Sequence, residues 1–309
     1  MDKKSKIFVA GHNGLVGSAI VDALSRNGFS NILTINSSAL DLRNQKETLA
    51  FFKYNKPEYV FLCAAKVGGI KANNQYRGAF IYDNLMIQSN VIHSSYSCNV
   101  KKLLFLGSSC IYPKKAEQPI KEDYLLTGPL EPTNRPYAVA KIAGIELCQS
   151  YNQQYGTIYI SLMPTNLYGE GDNFDLNNSH VIPALVKKAL IAKESNAKHI
   201  EIWGTGKPLR EFLHAKDLAD ASLIVMQQKQ NKEHLLNVGS GEECSIKSLT
   251  ELILELVDYP CDIKLNPQMP DGTYRKILDS SKINQLGWYP KISLKDGLKS
   301  LINHLQTKS

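Results

Sequence analysis

Apolar residues in the first half of the chain come in short unbroken runs, with amphipathic stretches between them. KIFVAG (6–11), YVFLCAA (59–65), LLFLG (103–107) and IYISLMP (158–164) are the clearest runs. Such a run, too short for a helix and without alternation, predicts a strand covered on both faces. ILTIN (32–36) reads as one more strand. Between the runs the period changes. Val16, Ile20, Ala23 and Leu24 share one helical face, and Gly28 is a natural stop. Helices are also expected around 45–54 and over 79–97 and 137–155. Strand and helix alternate, which predicts an α/β fold: a Rossmann-type doubly wound parallel sheet with helices on both faces.

After about residue 165 the rhythm breaks. Loops rich in Asn, Gly and Pro separate a helix near 181–193, the strands HIEIWG and LLNVG, and a helix near 245–257. This part reads as a smaller C-terminal α/β substrate lobe made of 166–213 and 241–309. The first domain is 1–165, and 214–240, with HAKDLADASLIVMQQ and LLNVG, returns to it. No internal repeat is visible.

The chain has 309 residues, 43% of them hydrophobic and 21% charged, which suits a folded protein with a substantial core. MDKKSKIFVAG enters the first strand without an apolar leader, and no apolar run approaches the roughly 20 residues of a spanning helix. A cytoplasmic protein without a membrane partner is expected. The formal charge of +7 comes from scattered lysines. With no dense basic patch interleaved with aromatics, no nucleic-acid partner is expected; the balance suits a phosphorylated substrate. The six cysteines form no CxxC pair, so neither a metal site nor a disulfide framework is expected.

GHNGLVG (11–17) carries the spacing GxxGxxG between the first strand and the first helix. Glycines there allow a tight turn and a close approach to a pyrophosphate, and the helix terminus offers free N–H groups. In INSSALDL (35–42), Asn36, Ser37 and Ser38 occupy the second strand's tip, with no acid there for ribose hydroxyls and no arginine for a 2′-phosphate. In RPYAVAKIAG, Tyr137 and Lys141 are four apart and share a helix face. An ammonium there would lower the phenol's pKa, and the phenol could protonate a developing alkoxide. Ser108, at the tip of the LLFLG strand, adds a hydroxyl that could bond the reacting oxygen. On the residues alone, the pair could also be an ordinary surface pair, and Cys110 a buried filler.

Glycine turn, strand-end serine and Tyr-x-x-x-Lys, in this order, resemble the extended, sugar-nucleotide-modifying branch of the short-chain dehydrogenase/reductase superfamily. AAKVGGIKANN (64–74), GSSCIYP (107–113), EPTNRPYAVAKIAGIELCQSYNQQYG (131–156), PTNLYGEGDNF (164–174), NSHVIPAL (178–185), GTGKPLREFLH (204–214) and PDGTYRK (270–276) narrow the likeness. They resemble the GDP-L-fucose synthase family, GDP-4-keto-6-deoxy-D-mannose 3,5-epimerase/4-reductases, from about residue 6 to about 300.

The resemblance implies a GDP-sugar substrate, NADP (NADPH) as cofactor and two proton carriers beside the reducing set. Cys110 matches the family's base and His180 its acid; Ser108, Tyr137 and Lys141 match the reducing residues. Cofactor contacts are implied for Gly11, His12, Asn13, Gly14, Leu15, Val16, Gly17, Ser37, Leu106, Gly107, Ser109, Lys141, Pro164, Thr165, Asn166, Leu167 and His180. Lys188, Trp203, Arg210 and Asp271 fall at substrate positions. Asn13 and Ser37 stand where relatives using NADPH carry arginines, which leaves NADH use open. Lys188 also replaces an expected arginine. Arg26, Arg43, Lys187 and Lys207 read as solvated surface. A homodimer through helices 79–97 and 137–155 is expected from the superfamily. A dehydratase would need an acidic pair where Ser109 and Cys110 stand, and a simple 4-reductase would need neither Cys110 nor His180. A related keto-sugar such as a GDP-heptose stays open, as does a non-catalytic NADP-binding regulator.

Overall fold

The unbroken apolar runs become strands with both faces covered. In chain order the first elements are β1 (Ile7–Ala10), α1 (Leu15–Arg26), β2 (Ile32–Leu33), α2 (Gln45–Asn55), β3 (Tyr59–Leu62), α3 (Ile70–Gln75), α4 (Arg77–Ser97), β4 (Lys102–Leu106), α5 (Arg135–Tyr155) and β5 (Tyr159–Pro164). They continue with β6 (Asn166–Tyr168), α6 (Val181–Ser195), β7 (His199–Trp203), β8 (Leu209–His214), α7 (Ala215–Gln227) and β9 (Leu235–Val238). Last come β10 (Glu243–Ser245), α8 (Ile246–Val257), β11 (Asp262–Asn266), β12 (Arg275–Lys276), α9 (Ser281–Asn284) and α10 (Leu294–Lys308). The computed structural model describes residues 1–176, 179–229, 233–269 and 271–308.

The main sheet has the order β2-β1-β3-β4-β5-β9, and every pairing is parallel. Side chains alternate across it. Ile7 and Val9 enter one core with Ile20, Leu24 and Leu218 of α1 and α7, while Phe8 and Ala10 enter the other with Phe52, Val91 and Ile145 of α2, α4 and α5. α7 thus packs on this sheet and β9 pairs in it. The strand order reverses between β1 and β3, so the carboxyl ends of the strands open a crevice there.

A third core joins Ile182 and Val186 of α6, Ile202 of β7, Leu249 and Ile253 of α8, and Leu298 and Leu301 of α10. Beside it β8 pairs with β6, β10 and β12, and β7 pairs with β11.

Three features differ from the sequence reading. β2 is two residues long rather than ILTIN, because only Ile32 and Leu33 pair with β1 at the sheet edge. α3, α9 and α10 are additional helices. Ile283 and Trp288, expected in the substrate lobe, pack in the first core instead. The reason is local: Trp288 Nε1 donates to the Asp217 carbonyl at 3.1 Å, and the Asp217 carboxylate accepts from Lys291 and Ile292 N–H groups at 3.1 and 3.0 Å. Those bonds tie the segment to α7.

Candidate active site

Between β1 and α1 the backbone turns too tightly for any side chain. Gly11 has φ +85°, and a Cβ there would lie 2.7 Å from the Ala64 backbone nitrogen. A Cβ on Gly17 would overlap the Gly11 carbonyl oxygen. α1 starts after Gly14, which offers no side-chain cap, and the first turn holds no acid. Its N–H groups are therefore open to an anion. Residues 11–17 line a cleft of about 720 Å³, which continues past Ser37, Gly107, Ser108, Tyr137, residues 164–167 and His180. In its wall, His12 Nδ1 and Asp172 Oδ2 are buried and have no hydrogen-bond partner among the described residues, and burial raises the Asp172 carboxyl to about 6. A glycine cradle and a bare helix terminus fit a dinucleotide diphosphate.

β4 ends at Leu106, and after an extended Ser108 the chain enters a single helical turn at 109–111. The Ser108 hydroxyl caps the short helical turn 109–111 by accepting from the Cys110 N–H at 3.3 Å. This capping fixes Ser108 on the cleft. Cys110 lines a second, small cavity of about 30 Å³ with Asn134, Thr273 and Lys276, and Ser109 and Lys276 stand in both walls. Cys110 and His180 therefore line adjoining cavities rather than one, with Lys276 common to both.

α5 carries Tyr137 and Lys141 one turn apart. Lys141 is buried, and its Nζ donates to the Leu106 carbonyl at 2.7 Å. It sits 4.8 Å from the Phe105 ring centroid and 5.7 Å from that of Tyr137. Burial lowers the ammonium to about 8, opposed by Cys110 and Cys63. The expected lowering of the phenol is not found. Burial, and then Cys110, push Tyr137 above the ordinary phenol value. The ammonium is committed to a backbone carbonyl, and desolvation dominates. Leu106 and Lys141 lie behind the cleft wall; the other residues assigned to the cofactor line it.

Burial also raises the Cys110 thiol, with Lys276, Ser108 and Lys141 opposing. His180 caps α6 with its backbone, its side chain making no cap bond. Its ring stays open to cleft solvent, yet desolvation and then the Lys276 charge hold it below the usual imidazole value. Lys276, in β12, was quoted within PDGTYRK but given no role by the sequence. It reaches the site because β12 pairs with β8.

The substrate candidates are more dispersed. Arg210 Nη2 donates to the Asp271 carbonyl at 3.2 Å, so these two meet. The Asp271 carboxylate accepts from the Thr205 N–H at 2.7 Å and hydroxyl at 3.0 Å, holding the turn after β7. Lys188 Nζ donates to the Glu201 carbonyl at 2.8 Å, and Trp203 is 37% exposed rather than a core residue. Asn178 and Pro270, the first residues of two quoted motifs, lie outside the described residues. One surface assignment is corrected: Arg43 lines the cleft, drawn in by an ion pair to Asp83 at 3.1 Å. Among the described residues no helix is long and apolar enough to cross a membrane.

The model of the NAD dependent epimerase/dehydratase family matches residues 7–239. GDP-L-fucose synthase 1 of Arabidopsis thaliana is 56% identical, covering 96% of this chain and 92% of the relative. GDP-L-fucose synthase of Escherichia coli (strain K12) is 50% identical, over 96% and 95%. A solved NADP-bound GDP-mannoheptose C4 reductase from Campylobacter jejuni superposes with TM-score 0.91 at 43% identity, covering 99% of each chain. The chain belongs to the NAD dependent epimerase/dehydratase family, on its GDP-L-fucose synthase branch.

Proposed function

We propose that the chain converts GDP-4-keto-6-deoxy-D-mannose to GDP-L-fucose, by epimerisation at sugar carbons 3 and 5 and then NADPH-dependent reduction of the carbon 4 ketone. The observation that carries this reading is the β4 tip, where a capped Ser108 and Tyr137 face the dinucleotide cleft while Cys110 lines the adjoining cavity. NADPH, when bound, supplies the hydride.

In this reading Cys110 takes the proton from a carbon beside the ketone, and His180 returns one to the opposite face. The ketone itself holds the electron pair, so no metal is needed. Ser108 donates to the ketone oxygen, and Tyr137, held protonated by its burial, gives that oxygen its proton. Lys141 fixes the β4 tip through the Leu106 carbonyl, and would hold the cofactor ribose on leaving it. Asn134 Oδ1, buried in the Cys110 cavity with no partner among the described residues, supports a hydroxylated ligand there. Lys188, Trp203, Arg210 and Asp271 hold the GDP moiety, which requires Lys188 to leave the Glu201 carbonyl.

Residues 1–165 and 214–240 form the NADP-binding domain, with the segment of Ile283 and Trp288 packed on it, and 166–213 with the rest of 241–309 the substrate lobe. A second copy docks on α4 and α5, whose outer surface exposes Tyr82, Val139 and Tyr155. The protein works in the cytoplasm, with no nucleic-acid or membrane partner. A second reading, reduction of a GDP-keto-heptose, draws on the GDP-mannoheptose C4 reductase at 43% identity.

The test is incubation with GDP-4-keto-6-deoxymannose and either NADPH or NADH, with the product sugar assigned by NMR. GDP-L-fucose formed faster with NADPH is expected. A product with the D configuration at carbons 3 and 5, or turnover of a GDP-keto-heptose alone, would overturn the reading.

A further inference from the structure

The far end of the cleft, beyond Ser37, is built from charged groups the mechanism does not use. Asp41, Arg43, Lys66 and Asp83 all line it. Arg43 Nη2 meets Asp41 Oδ2 at 2.8 Å and Arg43 Nη1 meets Asp83 Oδ1 at 3.1 Å; Lys66 Nζ holds the other oxygen of Asp83 at 3.0 Å. The loop bearing Arg43 is fixed from below: Asn90 Nδ2 donates to the Leu42 and Arg43 carbonyls, both at 2.9 Å. The Arg43 side chain is therefore aimed by a buried amide while 47% of it remains exposed.

The charges then decide what this end accepts. A free Asp41 carboxylate in this wall would repel a phosphate. Arg43 neutralises it. Asp83 already has Lys66, so the second Arg43 bond is surplus. Nε and one N–H from each terminal nitrogen serve the carboxylates, which leaves two of the five guanidinium N–H groups without a bond among the described residues. A planar fork with two free donors, beside masked acids, is a receptor for a phosphate.

We propose that Arg43, oriented by Asp41, Asp83 and Asn90, is the specificity-determining residue that selects a 2′-phosphorylated dinucleotide. The inference rests on the reading of this cleft as the dinucleotide site. It supplies the cation that Asn13 and Ser37 cannot.

Calorimetric titration of the full chain with 2′,5′-ADP and with 5′-AMP tests it without any sugar substrate. The wild type should bind 2′,5′-ADP on the order of tenfold more tightly than 5′-AMP, and the gap should narrow with salt. Arg43→Gln should close the gap by weakening 2′,5′-ADP alone, and Arg43→Lys should keep part of it. NADPH and NADH KM values should follow the same order, with kcat little changed. An undiminished gap in Arg43→Gln, or equal weakening of both probes, overturns the proposal. Equal binding of both probes by the wild type also overturns it while leaving the dinucleotide reading intact. Binding of neither removes that reading, and this proposal with it. Should Arg43→Gln not fold, Arg43→Lys decides: an undiminished gap there overturns the role of the fork.

Discussion

Tyr137 lines the dinucleotide cleft and Cys110 the adjoining cavity, and their work is separable. Tyr137→Phe should cut reduction by on the order of 10²–10⁴ while solvent hydrogen still exchanges at carbons 3 and 5. Cys110→Ser should suppress exchange by a similar factor. NADPH consumption and deuterium uptake, read in parallel, check both; a Tyr137→Phe protein that still reduces would remove Tyr137 from its role. Lys276 governs the pH dependence. Its charge lowers both Cys110 and His180, so Lys276→Met lets both groups titrate at higher pH. Exchange needs a thiolate and an imidazolium together, which gives a bell-shaped profile. Both limbs should move upward, by roughly half a unit to one unit, in a pH series of the exchange rate. An unmoved profile would confine Lys276 to binding. Ser108, Tyr137 and Lys141 were legible from the sequence because short-range spacing places them. Cys110 and His180 were named only through a family resemblance. Arg43 and Lys276 were missed because their destinations depend on partners far along the chain, Asp83 and β8.

At the level of elements, strands buried on both faces announced themselves. β1, β3, β4 and β5 admit no polar face, so their apolar runs could only be core. β2, at the sheet edge, gave a weaker signal and proved shorter. α10 carries Leu294, Leu298, Leu301 and Leu305 at helical spacing, yet its role depends on covering α8, which the pattern alone does not state. The glycine turn is the element whose chemistry the sequence stated best. Gly17→Ala should destabilise the fold by roughly 1–3 kcal/mol and weaken NADPH binding at least tenfold, because the methyl overlaps the Gly11 carbonyl. Gly28→Ala is the control. An added Cβ there has nothing within 4 Å, so only the left-handed strain at φ +78° counts. It should lower the thermal midpoint and leave NADPH affinity unchanged. Equal cofactor losses in both variants would contradict a specific role for the turn.

Across the whole molecule, the buried Glu211 joins the parts around the site. Its carboxylate accepts from the Gly241 N–H at 2.8 Å and the Leu278 N–H at 3.1 Å, fastening the segments after β9 and β12 to β8. Glu211→Ala leaves both donors unpaired and should cost at least about 2 kcal/mol in denaturant unfolding. A smaller loss would mean that the two segments are held elsewhere. This junction brings Lys276 to the β4 tip, where it lines both cavities. The most direct test is the isotope content of the product formed from GDP-4-keto-6-deoxymannose and NADPH in deuterated water. GDP-L-fucose carrying deuterium at carbons 3 and 5 is the predicted result; a reduced sugar with neither position labelled would contradict it.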